Sequence, residues 1–189
     1  MLASGHGPNF QMEFDMGDGM IRKMLAAVMA TALATAPLAA DTLDFTTLPP
    51  GSLGQTAATG GVSFDSPTNL VNMSNQYFSA AGGAICASKG GTANCRGAFN
   101  MRFGGKVRGL TLASAGHQSG DVATIVVYRG ANVVGSTGVA WNGKIDLRTY
   151  GKVTRIKIEY AGTGDGLAYG KVNFTRVTAK HKRADRRRN

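Results

Sequence analysis

The chain contains two cysteines, Cys86 and Cys95, and three chemistries are open to such a pair: a disulfide, a redox centre or a metal site. Eight residues separate them, so they do not form a Cys-x-x-Cys motif, and no histidine lies nearby to complete a metal site. In an exported protein, which the N-terminal region described below indicates, a lone pair this close in sequence forms a disulfide. We therefore predict a structural Cys86–Cys95 bridge.

Catalysis would require a nucleophile with a base, or two carboxylates that face one cleft. We expect His117, in a Ser-Ala-Gly-His-Gln-Ser-Gly segment, to be an exposed loop residue rather than a base or metal ligand. No G-x-S-x-G, H-E-x-x-H or P-loop motif is present. The aspartates are scattered at predicted strand ends: Asp44, Asp65, Asp121, Asp146 and Asp165. We interpret Asp121 and Asp146 as turn residues and expect no enzyme.

Aspartates could still gather in space around calcium, which takes oxygen ligands. Asp121 and Asp165 are the candidate ligands among the aspartates at strand ends. We otherwise expect no cofactor.

A sugar site on a β-sheet protein combines an exposed aromatic face with polar neighbours. Trp141, the only tryptophan, is followed by Asn142 and Lys144, and these three are the candidate ligand-binding residues. The alternative for Trp141 is half-buried packing at a sheet end. We expect the tyrosines of the same half to contribute to the core: Tyr128, Tyr150, Tyr160 and Tyr169.

These candidates must be positioned by strands, because short apolar runs separated by Gly, Asn and Pro dominate the chain after residue 40. We expect Tyr77 and Phe78 at the edge of the core, and Gly104–Gly105 to turn the chain. Gly109 is a predicted bulge. The predicted strands are 41–47, 62–64, 69–73, 99–103, 107–112, 122–128, 133–134, 153–160 and 166–174.

Residues 121–160 hold the densest series of predicted strands. Residues 122–128 are nearly all apolar, which predicts a strand that is buried on both faces or central in a sandwich. Asn142–Gly143 predicts a type I′ hairpin flanked by Trp141 and Lys144. In the last strand of this region we expect Ile156, Ile158 and Tyr160 to face inward. Together with the high glycine content, 27 residues, this predicts an all-β, antiparallel β-sandwich of jelly-roll type.

The N-terminal region predicts export. Met20-Ile-Arg-Lys precedes a short apolar run and a small-residue zone, as in a secretory signal peptide, and the run is too short to span a bilayer. We divide the chain into an upstream extension expected to be disordered (1–19), a cleaved signal helix (20–40), the β-sandwich (41–178) and a basic disordered tail (179–189). The net charge is +10, and the tail carries half of it. That excess favours anionic partners in general.

Several motifs resemble a β-sandwich domain of exported bacterial proteins, including surface proteins of the PEP-CTERM kind, which is similar to carbohydrate-binding jelly rolls. The motifs are Cys95, residues 99–103, Gly109–Leu110, Gly120–Asp121, residues 133–135, residues 153–156 and 166–169, and Phe174. Members of that group carry an Asp-Asp or Asp-Asn pair where this chain has Gly170–Lys171. The Pro-Glu-Pro motif and terminal apolar helix are missing, so the resemblance does not imply a membrane anchor.

The sequence thus predicts an exported, periplasmic or extracellular, non-catalytic binding module for a glycan or an anionic surface polymer. The charged residues of the predicted β-sandwich are not interleaved with aromatic residues, so we do not expect nucleic acid as a partner. Two alternatives stay open: a structural or adhesive protein that binds another protein through a sheet edge, and a small glycan-active enzyme. The sequence does not indicate an oligomeric state.

Overall fold

The computed structural model describes residues 39–89 and 94–178. The predicted upstream extension, the basic tail and the signal peptide, apart from Ala39 and Ala40, lie outside these ranges. Within them the chain forms ten strands and three short 3-10 turns, at Phe45–Thr47, Ser79–Ala81 and Arg148–Tyr150. The strands are β1 (Asp41–Thr42), β2 (Gly51–Thr59), β3 (Val62–Asn72), β4 (Ala84–Ser88), β5 (Phe99–Ala115), β6 (Val122–Arg129), β7 (Asn132–Ala140), β8 (Lys144–Asp146), β9 (Val153–Tyr160) and β10 (Ala168–Arg176). No helix in the described part is long and apolar enough to cross a membrane.

All strand pairings are antiparallel, and three long strands take part in two layers. Layer A has the order β7–β6–β9–β5–β3–β2 and uses the first half of β3 and of β5. Layer B has the order β8–β5–β10–β4–β3–β2 and uses their second halves, with β1 also paired to β10. The sheet therefore folds over on itself around one core, and the predicted all-β, antiparallel, jelly-roll-like sandwich is confirmed.

The core lies between the layers and is filled by the inward-facing residues of β5, β9 and β10. Aromatic pairs pack edge to face within it, for example Phe103 and Phe174, whose ring centroids are 5.2 Å apart. The predicted inward positions 99, 101 and 103 of β5 are buried. So are Ile156 and Ile158, whereas Tyr160 is half-buried against the core.

Strand β5 is longer than the sequence predicted. The chain does not turn at Gly104–Gly105; instead, β5 continues through them, and its register against β9 shifts between Arg102 and Val107. Gly104 has φ 63°, so this irregularity bends the strand from layer A into layer B. The predicted bulge at Gly109 is present, with φ 68° and a register shift against β10.

The first predicted strand is shorter, and two strands, β2 and β4, were missed. Only Asp41–Thr42 pair as β1, and Phe45 is buried in a 3-10 turn capped by Asp44, whose carboxylate accepts the N–H of Thr46 at 2.9 Å. The predicted strands at 62–64 and 69–73 are one strand, β3, which passes from layer A to layer B around Pro67. Strand β2 was missed because this edge strand has one large apolar residue, Leu53, among small and polar residues and therefore no apolar alternation.

Strand β6 is buried on one face only and lies between β7 and β9 in layer A. Of the two alternatives predicted for residues 122–128, it is therefore the central strand of a sandwich and not a strand buried on both faces. Ala123, Ile125 and Val127 face the core, but Val122 is 40% exposed and Tyr128 lies on the outer face. The β-branched residues on that outer face suit a half-covered pleated surface, so their apolar character did not imply a second layer. Tyr128 therefore does not belong to the core, in contrast to Tyr169, which is 2% exposed.

Asn142–Gly143 forms a turn but not the predicted hairpin. Strand β8 pairs with β5, with Lys144 opposite Ala113, and not with β7. Ser114 fixes this geometry, because its hydroxyl donates to the carbonyl of Ala140 at 2.8 Å and accepts the N–H of Gly143 at 3.0 Å. Asn142 has the left-handed backbone, φ 53°, that a type I′ turn requires, but Gly143 does not, so the predicted turn type is wrong.

Candidate functional site

A groove of about 350 Å³ lies on the outer face of layer B, across β8, β5 and β10. Its floor is β5, where Thr111 and Ala113 point outward because Leu110 and Leu112, which alternate with them, are buried in the core. These small side chains keep the floor low. The groove, as the term is used below, is formed by Phe78, Thr111, Ala113, Asn142, Lys144, Lys171 and Asn173.

Phe78 forms an aromatic wall of the groove. Its backbone is left-handed, with φ 54°, and its carbonyl accepts the N–H groups of Ala81 at 2.7 Å and Gly83 at 2.8 Å. The ring lies directly on Gly170 of β10, where an added Cβ would come within 2.5 Å of a ring carbon. A non-glycine residue in this conformation costs about 1–3 kcal/mol, so the surrounding contacts hold Phe78 in place against strain.

Phe78 is supported from beneath by a second group of buried apolar residues, on the side of layer B away from the main core. This small cluster consists of Val71, Met73, Ala84, Cys86, Cys95 and Ala168. The predicted disulfide between Cys86 and Cys95 is present within it. Tyr77 and Phe78 pack against it half-buried, which confirms that they lie at the edge of an apolar core.

Polar side chains from three strands surround the floor. Lys144 on β8 and Lys171 on β10 are exposed and lie on strands that flank β5 on opposite sides. The ammonium of Lys171 is 5.2 Å from the centre of the Phe78 ring. Asn173 accepts the hydroxyl of Thr42 at 2.7 Å and donates to the carbonyl of Lys171 at 2.9 Å. No carboxylate or imidazole lines the groove in the described part of the chain.

Of the three candidate binding residues, the structure brings Asn142 and Lys144 into the groove. Trp141 is 39% exposed but does not line it. Sequence reasoning missed Phe78, Lys171 and Asn173 as site residues. The alternation of β10 indicated that Asn173 faces outward, because Val172 and Phe174 on either side of it are apolar and buried.

His117 is exposed, as predicted, and its Nε2 is hydrogen-bonded to the hydroxyl of Tyr77. The two rings also meet edge to face, with centroids 5.6 Å apart. The contact places His117 beside Tyr77, which packs against the small cluster, and His117 does not line the groove.

Asp121 is fully buried and its carboxylate is surrounded by donors. Oδ1 accepts the hydroxyl of Tyr160 at 2.7 Å and the N–H of Gly166 at 2.9 Å, and Oδ2 accepts the N–H of Gln118 at 3.2 Å. Burial opposes the charged form, but these hydrogen bonds outweigh it and hold the pKa of Asp121 below its ordinary value. In turn, burial and the Asp121 carboxylate raise the pKa of Tyr160 to about 12.

Asp165, the second candidate calcium ligand, is exposed and lies 3.8 Å from the guanidinium of Arg96. Within the described residues no group of three His, Cys, Asp or Glu side chains is placed to hold a metal ion. Asp146 is exposed at the end of β8, where its carboxylate accepts the N–H of Arg148 at 3.0 Å. Hydrogen bonds from the Arg148 side chain lower the pKa of Asp146 to about 2, which agrees with a turn role.

The outer face of layer A, called the paired face below, is formed by Asp65, Arg102, Tyr128, Arg155, Lys157 and Glu159. Arg102 is 2.6 Å from Asp65, and Lys157 is 2.5 Å from Glu159. The Arg155 guanidinium lies 3.7 Å from the centre of the Tyr128 ring. The hydrogen bond from Arg102 holds the pKa of Asp65 below its ordinary value.

Comparison with known proteins does not assign a family. No known family profile matches the sequence, and no curated protein matches it. One solved structure, a family 29 carbohydrate-binding module, aligns over 73% of this chain and 87% of its own, with 13% identity and a TM-score of 0.29. A likeness at that TM-score carries no argument about ligand or mechanism, so the resemblance to exported bacterial β-sandwich domains stays a prediction.

Proposed function

We propose that this protein is a non-catalytic glycan-binding module and that the groove is its binding site. The observation that carries the proposal is the placement of the Phe78 ring beside a low floor, with amide, hydroxyl and ammonium groups from three strands around it. An apolar ring can pack against the C–H face of a sugar while such polar groups bind its hydroxyls. Side chains on strands are held more rigidly than loop side chains, which suits recognition without rearrangement.

Two further features support the proposal, one for binding without hydrolysis and one for export. The groove lining carries no Asp, Glu or His in the described residues, whereas a glycosidase uses a pair of carboxylates that flank the scissile bond. The Cys86–Cys95 disulfide suits an oxidising compartment. Secretion then follows as part of the same proposal.

The proposal is tested by screening the domain, residues 41–178, against an array of polysaccharides and measuring hits by calorimetry. We expect Phe78→Ala to weaken binding by about tenfold or more, as for an aromatic anchor at an interface centre. Tyr128→Ala is the matched control, because Tyr128 is a half-exposed aromatic residue on the paired face. It should bind as the wild type does.

Phe78→Ala could also disturb the small cluster, so a second variant fills the groove without touching that cluster. Ala113 points outward from the floor, and Ala113→Tyr should block the groove while leaving the melting temperature nearly unchanged. No binding to any glycan would overturn the proposed function. Unchanged binding by a folded Ala113→Tyr variant would overturn the groove as the site.

A specific observation also favours a second candidate, an adhesive protein that binds through a sheet edge. Strand β7 is an edge strand of nine residues with no charged residue or proline, and its Val133 is 59% exposed. Charged residues and proline are two common protections against strand addition that β7 lacks, although its register against β6 shifts between Val133 and Gly135. Light scattering of the purified domain over a range of concentrations separates this function, since edge pairing between copies would raise the mass without any glycan.

A further inference from the structure

The two lysines of the groove occupy matched positions on either side of its floor. Lys144 is the cross-strand partner of Ala113 on one side, and Gly170, which precedes Lys171, is its partner on the other. Neighbouring strands lie about 4.8 Å apart, so the strands that carry the two lysines are about 10 Å apart. A ligand that fills the groove therefore lies between two ammonium groups.

The charge of these lysines is not neutralised by the protein. Within the described residues, five ion pairs occupy the side chains of Arg96, Arg102, Arg148, Lys157 and Arg176. Neither Lys144 nor Lys171 has a carboxylate within ion-pair distance in that part of the chain. The nearest acidic residue along β8 is Asp146, and Nε of Arg148 lies 2.9 Å from both of its oxygens.

The backbone conformation of Lys171 is a second unusual feature of the groove. Lys171 has φ 49°, a left-handed conformation, at a register shift in β10. Glycine is the residue that adopts this conformation without cost, yet the chain has a lysine there, and its ammonium lies by the Phe78 ring. A positive side chain is thus held at the wall of a groove that already has one on the opposite side.

From this arrangement we infer that the ligand of the groove is an acidic glycan, whose carboxylate or sulfate is bound between Lys144 and Lys171. The inference rests on the proposed function and specifies the ligand class for the same groove. Two like charges on one surface repel each other, and an anion between them relieves this repulsion. A neutral sugar would leave both ammonium groups without a counter-charge.

Three probes test the inference by calorimetry: an oligomer of galacturonic acid, its fully methyl-esterified form, and a sulfated galactan oligosaccharide. The ester has nearly the same shape as the acid but no charge. We expect the acid to bind about tenfold or more tightly than the ester, and its affinity to fall as salt is raised. Binding of the sulfated oligomer alone would assign the anion as sulfate and support the same pair of lysines.

Lys144→Gln and Lys171→Gln should each weaken binding of the acidic ligand by about fivefold and reduce its salt dependence. Glutamine removes the charge, keeps a polar side chain that is one atom shorter than that of lysine and, at position 171, has the same backbone strain as lysine. The control is Lys152→Gln, since Lys152 is also exposed but lies in the β8–β9 connection and does not line the groove. It should change the affinity less than twofold.

The outcomes separate the inference from the function on which it rests. Equal affinity for acid and ester, or glutamine variants that bind acid as the wild type does, would overturn the acidic ligand and leave a glycan-binding groove. Failure to bind any glycan, charged or neutral, would overturn both.

Discussion

On the outer face of layer A, Arg102 and Lys157 each lie against a carboxylate, whereas on the outer face of layer B Lys144 and Lys171 have none within ion-pair distance among the described residues. Strand β5 runs through both faces, so the difference does not come from different scaffolds. It comes from what surrounds β5. On the paired face Arg102 and Lys157 have carboxylate partners, and the hollow beside Arg102 and Arg155 has no aromatic side chain in its lining. On layer B the Phe78 ring forms one wall of the groove. Unpaired charge beside an aromatic wall indicates a ligand more strongly than charge alone.

The two faces also differ in what supports them. The groove wall rests on the small cluster, its disulfide and the loop held by Asp121. The paired face is held by exposed ion pairs, which contribute little in water. Perturbations of the buried support should therefore affect both folding and the groove, and perturbations of the paired face should affect neither strongly.

The largest effect is expected from Cys86→Ala/Cys95→Ala. A cross-link that closes a loop of about ten residues stabilises the fold by about 3 kcal/mol on the chain-entropy model. Because both cysteines belong to the small cluster against which Phe78 packs, glycan affinity should fall as well. Urea unfolding followed by the fluorescence of Trp141, the only tryptophan, measures the stability, and calorimetry measures the binding.

Reduction of the wild-type protein with dithiothreitol is the control for the substitutions, and it should reproduce most of the loss of stability. A folded double variant with unchanged glycan affinity would contradict the claim that the small cluster positions the groove wall.

A smaller effect is expected from Asp121→Asn. Asp121 holds the N–H of Gly166, and the neighbouring Asp165 carbonyl accepts the N–H of Cys95 at 2.8 Å. The side-chain amide of the Asp121→Asn variant has one acceptor oxygen and cannot accept all three groups that donate to Asp121, from Gln118, Tyr160 and Gly166. We therefore expect the free energy of unfolding to fall by about 2 kcal/mol at pH 7. Because the pKa of Asp121 is lowered in the folded state, its contribution is present above the unfolded pKa of about 3.9 and is lost as pH falls below it.

Denaturation of wild type and variant at pH 7 and near pH 3 measures this difference, which should narrow at the lower pH. Asp165→Asn is the matched control, because Asp165 lies in the β9–β10 connection to which Asp121 is hydrogen-bonded, but its side chain is 54% exposed. An equal loss of stability from both variants would show that burial of Asp121 is not the cause.

Much of the sandwich was predictable because alternation is a local property. It placed residues 99, 101 and 103 of β5 and Ile158 of β9 in the core, and the lone cysteine pair predicted the disulfide. Local patterns do not specify which strands become neighbours. The sequence of Asn142–Gly143 is that of a hairpin turn, yet β8 pairs with β5 because Ser114 binds the turn from across the sheet.

The groove was less predictable for the same reason. Its residues come from β5, β8, β10 and the segment before β4, which are separated by up to 95 positions between Phe78 and Asn173. Gly170 looked like a departure from a family motif, but its function here is to leave room for the Phe78 ring. Only the pairing of β10 with both β4 and β5 brings that ring, the floor and the lysines together.

The smallest effect is expected from Asp65→Asn on the paired face. The carboxylate of Asp65 is 2.6 Å from Arg102 and also accepts Asn100 at 2.6 Å, but its side chain is 39% exposed, so solvent screens the pair. The loss of stability at pH 7 should be about 0.5 kcal/mol. Because the pKa of Asp65 is lowered in the folded state, this loss should begin to shrink near the unfolded pKa of about 3.9 and disappear as the pH falls through the lower folded pKa. Glycan affinity should stay the same as in the wild type.

A fall in affinity for the acidic ligand, or a rise caused by the Arg102 charge that the variant frees, would mean that the paired face also takes part in binding. The distinction between the two faces would then lie in their shape alone and not in which charges the protein neutralises itself.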